Sequence, residues 1–137
     1  MRGGTANCSV TISEKEIGSP KVLVPNLLLV MNIQSYDKFI DKVEEGGIAV
    51  INSSLINKRS DNDKIHCYYI PATQLANDNG LQGLANIICV GYLLKKSGFT
   101  SYENLLDGLK KSIPASKTHL LEANTKALEL GYNYSEA

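Results

Sequence analysis

Polar side chains able to hold a ligand collect at three places, each directly after an apolar run. They are Asn32, Gln34 and Ser35 in "MNIQS", Asn52, Ser53 and Ser54 in "INSSL", and the segment "YIPAT". If the apolar runs are strands of a parallel sheet, these segments share the edge where strands end and helices begin, where loops diverge and helix N–H groups are open. Amides and hydroxyls there are neutral donors and acceptors, so the rim would bind and orient a ligand rather than move protons. Taken singly, each residue serves as well to cap a helix or close a turn. The same double reading applies to Arg2, Gly3, Gly4 and Thr5. Two glycines let backbone approach a ligand and Arg2 offers a forked cation for carboxylate or phosphate, but a Gly-Gly pair is also an ordinary turn.

Other reactive types are scattered. Cys8, Cys67 and Cys89 are odd in number, far apart and without a Cys-x-x-Cys spacing. That pattern fits reduced thiols, and it predicts that the chain alone holds neither an iron–sulfur cluster nor structural zinc. His66 and His119 have no metal partner at ligand spacing, and "SDNDK" lacks the glycine and distal glutamate of a calcium loop. No Gly-x-Gly-x-x-Gly fingerprint is present. Lys95, Lys96, Lys110 and Lys111 fall in the last turns of expected helices, where they favour the helix dipole. Asn86 and Asn124 interrupt apolar helix surfaces and must find a hydrogen bond in the fold or at a partner.

The elements that must position the rim follow from periodicity. Cys8, Val10 and Ile12 alternate with polar neighbours over Thr5 to Ser13, predicting a half-buried strand, with a short extended piece around Lys21 to Val24. Leu27 to Met31 and Ile48 to Ile51 read as strands covered on both faces. Between them a helix capped by Ser35 carries Tyr36, Phe39, Ile40 and Val43 on one stripe and ends at Gly46 and Gly47, which makes a βαβ unit. After the loop "NKRSDNDK", Ile65 to Ile70 is a further strand, and Pro71 opens a short helix to about Asn77. Leu84 to Lys96 predicts a buried helix closed by Gly98. A capping box of Thr100 and Glu103 then opens a helix bearing Tyr102, Leu105, Leu106, Leu109 and Ile113. The last helix starts near Pro114, carries Leu120, Leu121, Ala127 and Leu128, and stops at Gly131.

The expected architecture is an α/β, Rossmann-like three-layer module with a mostly parallel sheet and a helical C-terminal part. The chain has 137 residues, one domain's worth, and its 14 Lys and Arg balance 14 Asp and Glu. No excess field exists to attract nucleic acid or an anionic membrane. The apolar runs are far shorter than the roughly 20 residues of a membrane span, and no leader pattern opens the chain, so a cytoplasmic protein is expected.

Taken in order, "MRGGTANCSVTIS", "GSP", "MNIQS", "GGIAVINSSLI", "LANIICVGYLL" and "LLEANTKALELGY" resemble the gamma subunit of 2-oxoacid:ferredoxin oxidoreductases, of the types acting on 2-oxoglutarate or branched-chain 2-oxoacids. The resemblance spans essentially the whole chain, residues 1–137, as a single gamma-type domain. In that family a βαβ portion with a glycine-rich turn precedes the Arg-Gly-Gly segment. The resemblance therefore implies an N-terminally truncated module, with uncovered apolar surface and self-association.

It also implies a part in the oxidative decarboxylation of a 2-oxoacid with coenzyme A, giving acyl-coenzyme A, carbon dioxide and reduced ferredoxin. Pyruvate is another substrate of the wider family. Thiamine diphosphate, magnesium and the iron–sulfur cluster would sit on thiamine-binding and ferredoxin-like partner subunits, and this chain would be inactive alone. By that resemblance Arg2, Gly3, Gly4, Thr5, Asn32, Gln34, Asn52, Ser53 and Ser54 would contact or position coenzyme A and the subunit interface. None is assigned to bond making or to a metal. Two other readings stand beside this one: a stand-alone interaction or scaffolding domain, and the equivalent domain of an indolepyruvate oxidoreductase.

Overall fold

The computed structural model describes residues 8–19, 23–117 and 119–135. Three strands, β1 (Leu27–Val30), β2 (Ile48–Asn52) and β3 (His66–Ile70), form one sheet in the order β1-β2-β3. Both pairs are parallel, with Leu28 opposite Ala49 and Val50 opposite Tyr68. Each boundary lies within one residue of the periodicity reading, because a buried parallel strand declares itself as a short unbroken apolar run.

Alternation along β2 divides the core in two. Ala49 and Ile51 face α1 (Ile33–Phe39) and its 3-10 extension Ile40–Lys42, packing with Val30, Tyr36, Ile40, Val43, Ile56, Ile65 and Tyr69. Val50 faces the other way, onto a cluster with Ile70, Ala72, Ile88, Cys89, Tyr92 and Ala127. That second layer is built from α2 (Ala72–Asp78), α3 (Ala85–Ser97) and α5 (His119–Tyr132). Helix α4 (Tyr102–Ser112) lies against α5 and contains no buried residue. The result is the expected three-layer α/β module, helix on both faces of a parallel sheet.

The β2–β3 crossover contains no helix. Ile56 and Ile65, 2% and 6% exposed, anchor its two ends in the α1-side core. Its middle is fastened to the strand it leads into: the Ser60 N–H donates to the Tyr69 hydroxyl at 2.8 Å, and the Arg59 guanidinium lies 4.3 Å from the Tyr69 ring centre. Lys58 and Asp37 add a 2.8 Å ion pair that is half exposed at both ends.

Five expectations need correction. Residues 8–13 form no strand, and Val10 and Ile12 are 70% and 80% exposed. Alternation alone cannot hold a strand without a ladder partner, and among the described residues β1, β2 and β3 pair only with one another. Leu23 and Val24 are likewise exposed bends rather than an extended piece. The cap of α1 is Asn32, whose Oδ1 accepts from Ser35 N–H at 2.8 Å, and the cap of α4 is Ser101, whose Oγ accepts from Asn104 N–H at 3.1 Å. In both places several polar residues compete for the capping position, and the one in extended conformation wins.

Gly131 does not end α5, which continues through Tyr132. It sits where α3 crosses α5: a Cβ there would overlap the Ile88 carbonyl, and one at Gly91 would overlap the Leu128 carbonyl. These two glycines let the helix backbones touch. Gly98, in contrast, closes α3 as expected, in the left-handed conformation at φ 64° with its N–H on the Leu94 carbonyl.

Candidate functional site

The strand-end rim exists, and most of its polar groups are spent inside the chain. Asn32 follows β1; besides its side-chain cap, its carbonyl accepts from Tyr36 N–H at 3.0 Å. Ser35 is buried beneath it, while Gln34 is exposed on the first turn of α1.

Asn52, the last residue of β2, is fully buried. Its Oδ1 accepts from the N–H groups of Ala72 at 3.1 Å, Thr73 at 3.5 Å and Ser54 at 3.3 Å, and its Nδ2 donates to Thr73 Oγ1 at 2.9 Å. The Asn52 carbonyl accepts from Leu55 and Ile56 N–H. Ser53 N–H donates to the Ile70 carbonyl at 2.9 Å, and Ser54 Oγ accepts from Gln74 N–H at 3.0 Å. The loop after β2 thus takes up the free N–H groups of α2, which has no side-chain cap on its own N-cap residue, Pro71. Asn52 and Ser54 cap that helix from 20 residues away in sequence.

The structure therefore brings Asn32, Gln34, Asn52, Ser53 and Ser54 to the same sheet edge, as the parallel topology requires. Arg2, Gly3, Gly4 and Thr5 lie outside the described residues. Thr73 and Gln74 belong to the same edge and were not singled out from sequence. The readable signal was "YIPAT" together with an asparagine closing an apolar run, since a buried amide must find partners.

Chemically the described part of the edge is neutral. The titratable groups with raised pKa values lie away from the rim: burial pushes up the Tyr36 and Tyr69 phenols and the Cys67 thiol on the α1 side, the Cys89 thiol to about 12 on the α3 side, and the Tyr102 phenol at the start of α4. Such groups stay protonated near neutrality and are poor nucleophiles. Asn86 accepts from Ile87 N–H, and Asn124 bonds back to the Leu120 carbonyl, so both are satisfied within their own helices. Among the described residues no cluster of three His, Cys, Asp or Glu side chains is placed to hold a metal. A hollow of about 460 Å3 lies between α3 and α4, lined by Ile87, Val90, Leu105 and Leu109. Another, of about 310 Å3, lies at the opposite end of the strands beside Glu44, Glu45 and Gly46. Neither touches the rim.

Comparison with known proteins shows what the chain is similar to. The chain is 31% identical to the 2-oxoglutarate synthase subunit KorC of Methanocaldococcus jannaschii, over 98% of this chain and 72% of that relative. Its fold matches the gamma subunit of a keto/oxoacid ferredoxin oxidoreductase from Geobacter sulfurreducens PCA with a TM-score of 0.70 at 22% identity, covering 78% of this chain and 62% of that one. The 2-oxoglutarate:ferredoxin oxidoreductase of Magnetococcus marinus, solved with 2-oxoglutarate, coenzyme A and succinyl-CoA bound, matches with a TM-score of 0.64 at 20% identity, over 87% of this chain and 23% of that one. Residues 1–134 match the model of one family, and the chain belongs to it: pyruvate ferredoxin/flavodoxin oxidoreductase.

Proposed function

We propose that this chain is the gamma-type subunit of a multi-subunit 2-oxoacid:ferredoxin oxidoreductase, with 2-oxoglutarate as the oxoacid, and that it acts as one domain in the cytoplasm. In the reaction the 2-oxoacid loses carbon dioxide, its acyl group joins the coenzyme A sulfur, the thiol proton is released, and two electrons pass to ferredoxin. The chain's part is to present its strand-end rim to coenzyme A and to cover the thiamine site of a partner. Gln34 and Ser53 supply side-chain donors and acceptors there. Asn32, Asn52 and Ser54 hold the loops, and Arg2, Gly3, Gly4 and Thr5, outside the described residues, are assigned to contact with coenzyme A or the subunit interface.

One observation carries this reading: a family match over residues 1–134 coincides with a rim whose described residues present neutral hydrogen-bonding groups. Thiamine diphosphate and magnesium belong to a thiamine-binding subunit, where thiamine supplies the electron sink for decarboxylation. The iron–sulfur cluster belongs to a ferredoxin-like subunit. The described cysteines do not fit a cluster, since Cys67 and Cys89 lie in opposite layers and Cys8 is exposed on the N-terminal segment. No described helix is long and apolar enough to cross a membrane. The exposed Val10, Ile12, Leu23 and Val24 also favour self-association of the free chain.

Affinity purification of the chain from its native host tests the reading. Recovery with a thiamine diphosphate-binding polypeptide and an iron–sulfur polypeptide, and with coenzyme A-dependent reduction of ferredoxin by 2-oxoglutarate, is the expected result. Recovery of the chain alone would favour an interaction domain, and turnover confined to indolepyruvate would move the substrate assignment.

A further inference from the structure

We infer that a second copy of this chain docks on the face where residues 8–13 lie beside the α3–α4 hollow, each copy placing Ile12 in the hollow of the other. The inference is independent of the coenzyme A reading, and it gives the self-association of the free chain a surface, a symmetry and a limit. It starts from two incomplete features. Val10 and Ile12 are 70% and 80% exposed, so their own chain leaves them largely uncovered. The hollow, of about 460 Å3, has the opposite deficit. Its apolar walls include Ile87, Val90, Phe99, Leu105, Leu109 and Leu128, and among the described residues no side chain fills it.

Their chemistry matches. Residues 8–13 carry no charge, and neither does any described residue lining the hollow, although 20% of the chain's residues are charged. Burying one against the other therefore strips water from no ion. In an extended segment residues two apart stand on the same side about 7 Å from each other, so Val10 and Ile12 enter together. Placement decides the occupant. Ile12 itself borders the hollow, so donor and acceptor share one face of the chain. Within its own chain Ile12 reaches only the rim and stays exposed, which leaves the interior to another molecule. A twofold axis through such a face lays each donor over the other copy's acceptor and uses up both sets at two copies. Donor and acceptor on opposite faces would instead run on into an open chain.

Sedimentation equilibrium of the free chain over a wide concentration range tests this, with a monomer–dimer equilibrium and no larger species expected. Ile12→Asp should weaken the dimer about a hundredfold, tenfold for each of two equivalent anchors. Because Ile12 is so exposed, the variant keeps a folded monomer, checked by an unchanged circular dichroism spectrum. Leu23→Asp is the control: Leu23 is 69% exposed but does not line the hollow, and its dimer should stay near wild type. A second measurement locates the contact. In a Cys8→Ser background, chains carrying Ile12→Cys are mixed with chains carrying Gly108→Cys, a hollow position where a Cβ meets nothing within 4 Å. Mild oxidation should give a species of doubled mass, with the disulfide mapped between the two new cysteines.

A wild-type chain that stays monomeric would overturn the inference. If Ile12→Cys then joins Gly108→Cys within one chain, the hollow belongs to the chain's own N-terminal segment, and if Gly108→Cys resists a thiol reagent only in the assembled complex, it belongs to a partner subunit. Growth beyond two copies, or a dimer lost in Leu23→Asp and kept in Ile12→Asp, would overturn it as well.

Discussion

Replacing Gly131 by alanine adds one methyl group at the α3–α5 crossing, where it meets the backbone carbonyl of Ile88 rather than the end of a movable side chain. Elsewhere in a helix the same exchange is favourable by about 1 kcal/mol, because alanine loses less backbone entropy. Here the helices must separate, loosening the contacts of Ile88, Tyr92, Ala127 and Leu128, which are all 0–1% exposed. Overpacking of this kind costs about 1–3 kcal/mol, and a rigid backbone neighbour puts it at the upper end. The net expectation is a loss of about 2 kcal/mol. For 137 residues the unfolding entropy is about 0.3 kcal/mol per kelvin, so the melting temperature should fall by about 7 °C. Gly108→Ala is the matched control: Gly108 lies within α4, and a Cβ there meets nothing within 4 Å. It should raise the melting temperature by about 3 °C. Thermal unfolding followed by far-ultraviolet circular dichroism reads both. A neutral or stabilising Gly131→Ala would mean that the two helices do not approach as described.

Asn52→Ala removes the shared acceptor of the α2 N–H groups from a site with no access to water. It should cost about 2–3 kcal/mol in denaturant unfolding, and a change below about 0.5 kcal/mol would refute the capping assignment. Ser101→Ala, at an exposed cap, should cost only about 1 kcal/mol by the same measurement. With a thiol reagent at pH 8, Cys8 should react at once and Cys89 only on unfolding; prompt modification of Cys89 would contradict its burial. The pKa of Cys89 is raised from 9.0 to about 12 by burial, so the folded state favours the protonated thiol. Its contribution to stability is complete below about pH 9 and is lost as pH rises toward 12. Replacing Cys89 by alanine should flatten that part of the stability profile.

Much of the fold was legible because its decisive signals are local. An unbroken apolar run such as Leu27 to Val30 needs no knowledge of distant residues to be read as a buried strand, and the stripe of Tyr36, Ile40 and Val43 is set by helical period alone. Failures came where a remote partner decides. Cys8, Val10 and Ile12 alternate as a strand should, yet no described neighbour offers them a ladder. Gly131 reads as a helix stop until Ile88, on another helix, shows why no side chain fits. The rim was legible as a set, because parallel topology forces strand ends to one edge. The division of labour within it was not. Whether Asn52 faces a ligand or the interior depends on where α2 begins, and Thr73 gains its meaning only from an amide 21 residues earlier.

The absence of a buried side chain in α4 has a consequence for how the chain comes apart. Sheet, α3 and α5 share one interior and can open only together, at the full free energy of unfolding. A segment whose every side chain already meets solvent needs far less to detach, and it hangs between two fixed points, Gly98 and the start of α5. Amide exchange should accordingly show two tiers, with the amides of Leu105, Leu106 and Leu109 exchanging well ahead of those of Val50 and Ile88. Proteases would find their first foothold on this arm rather than among the strands.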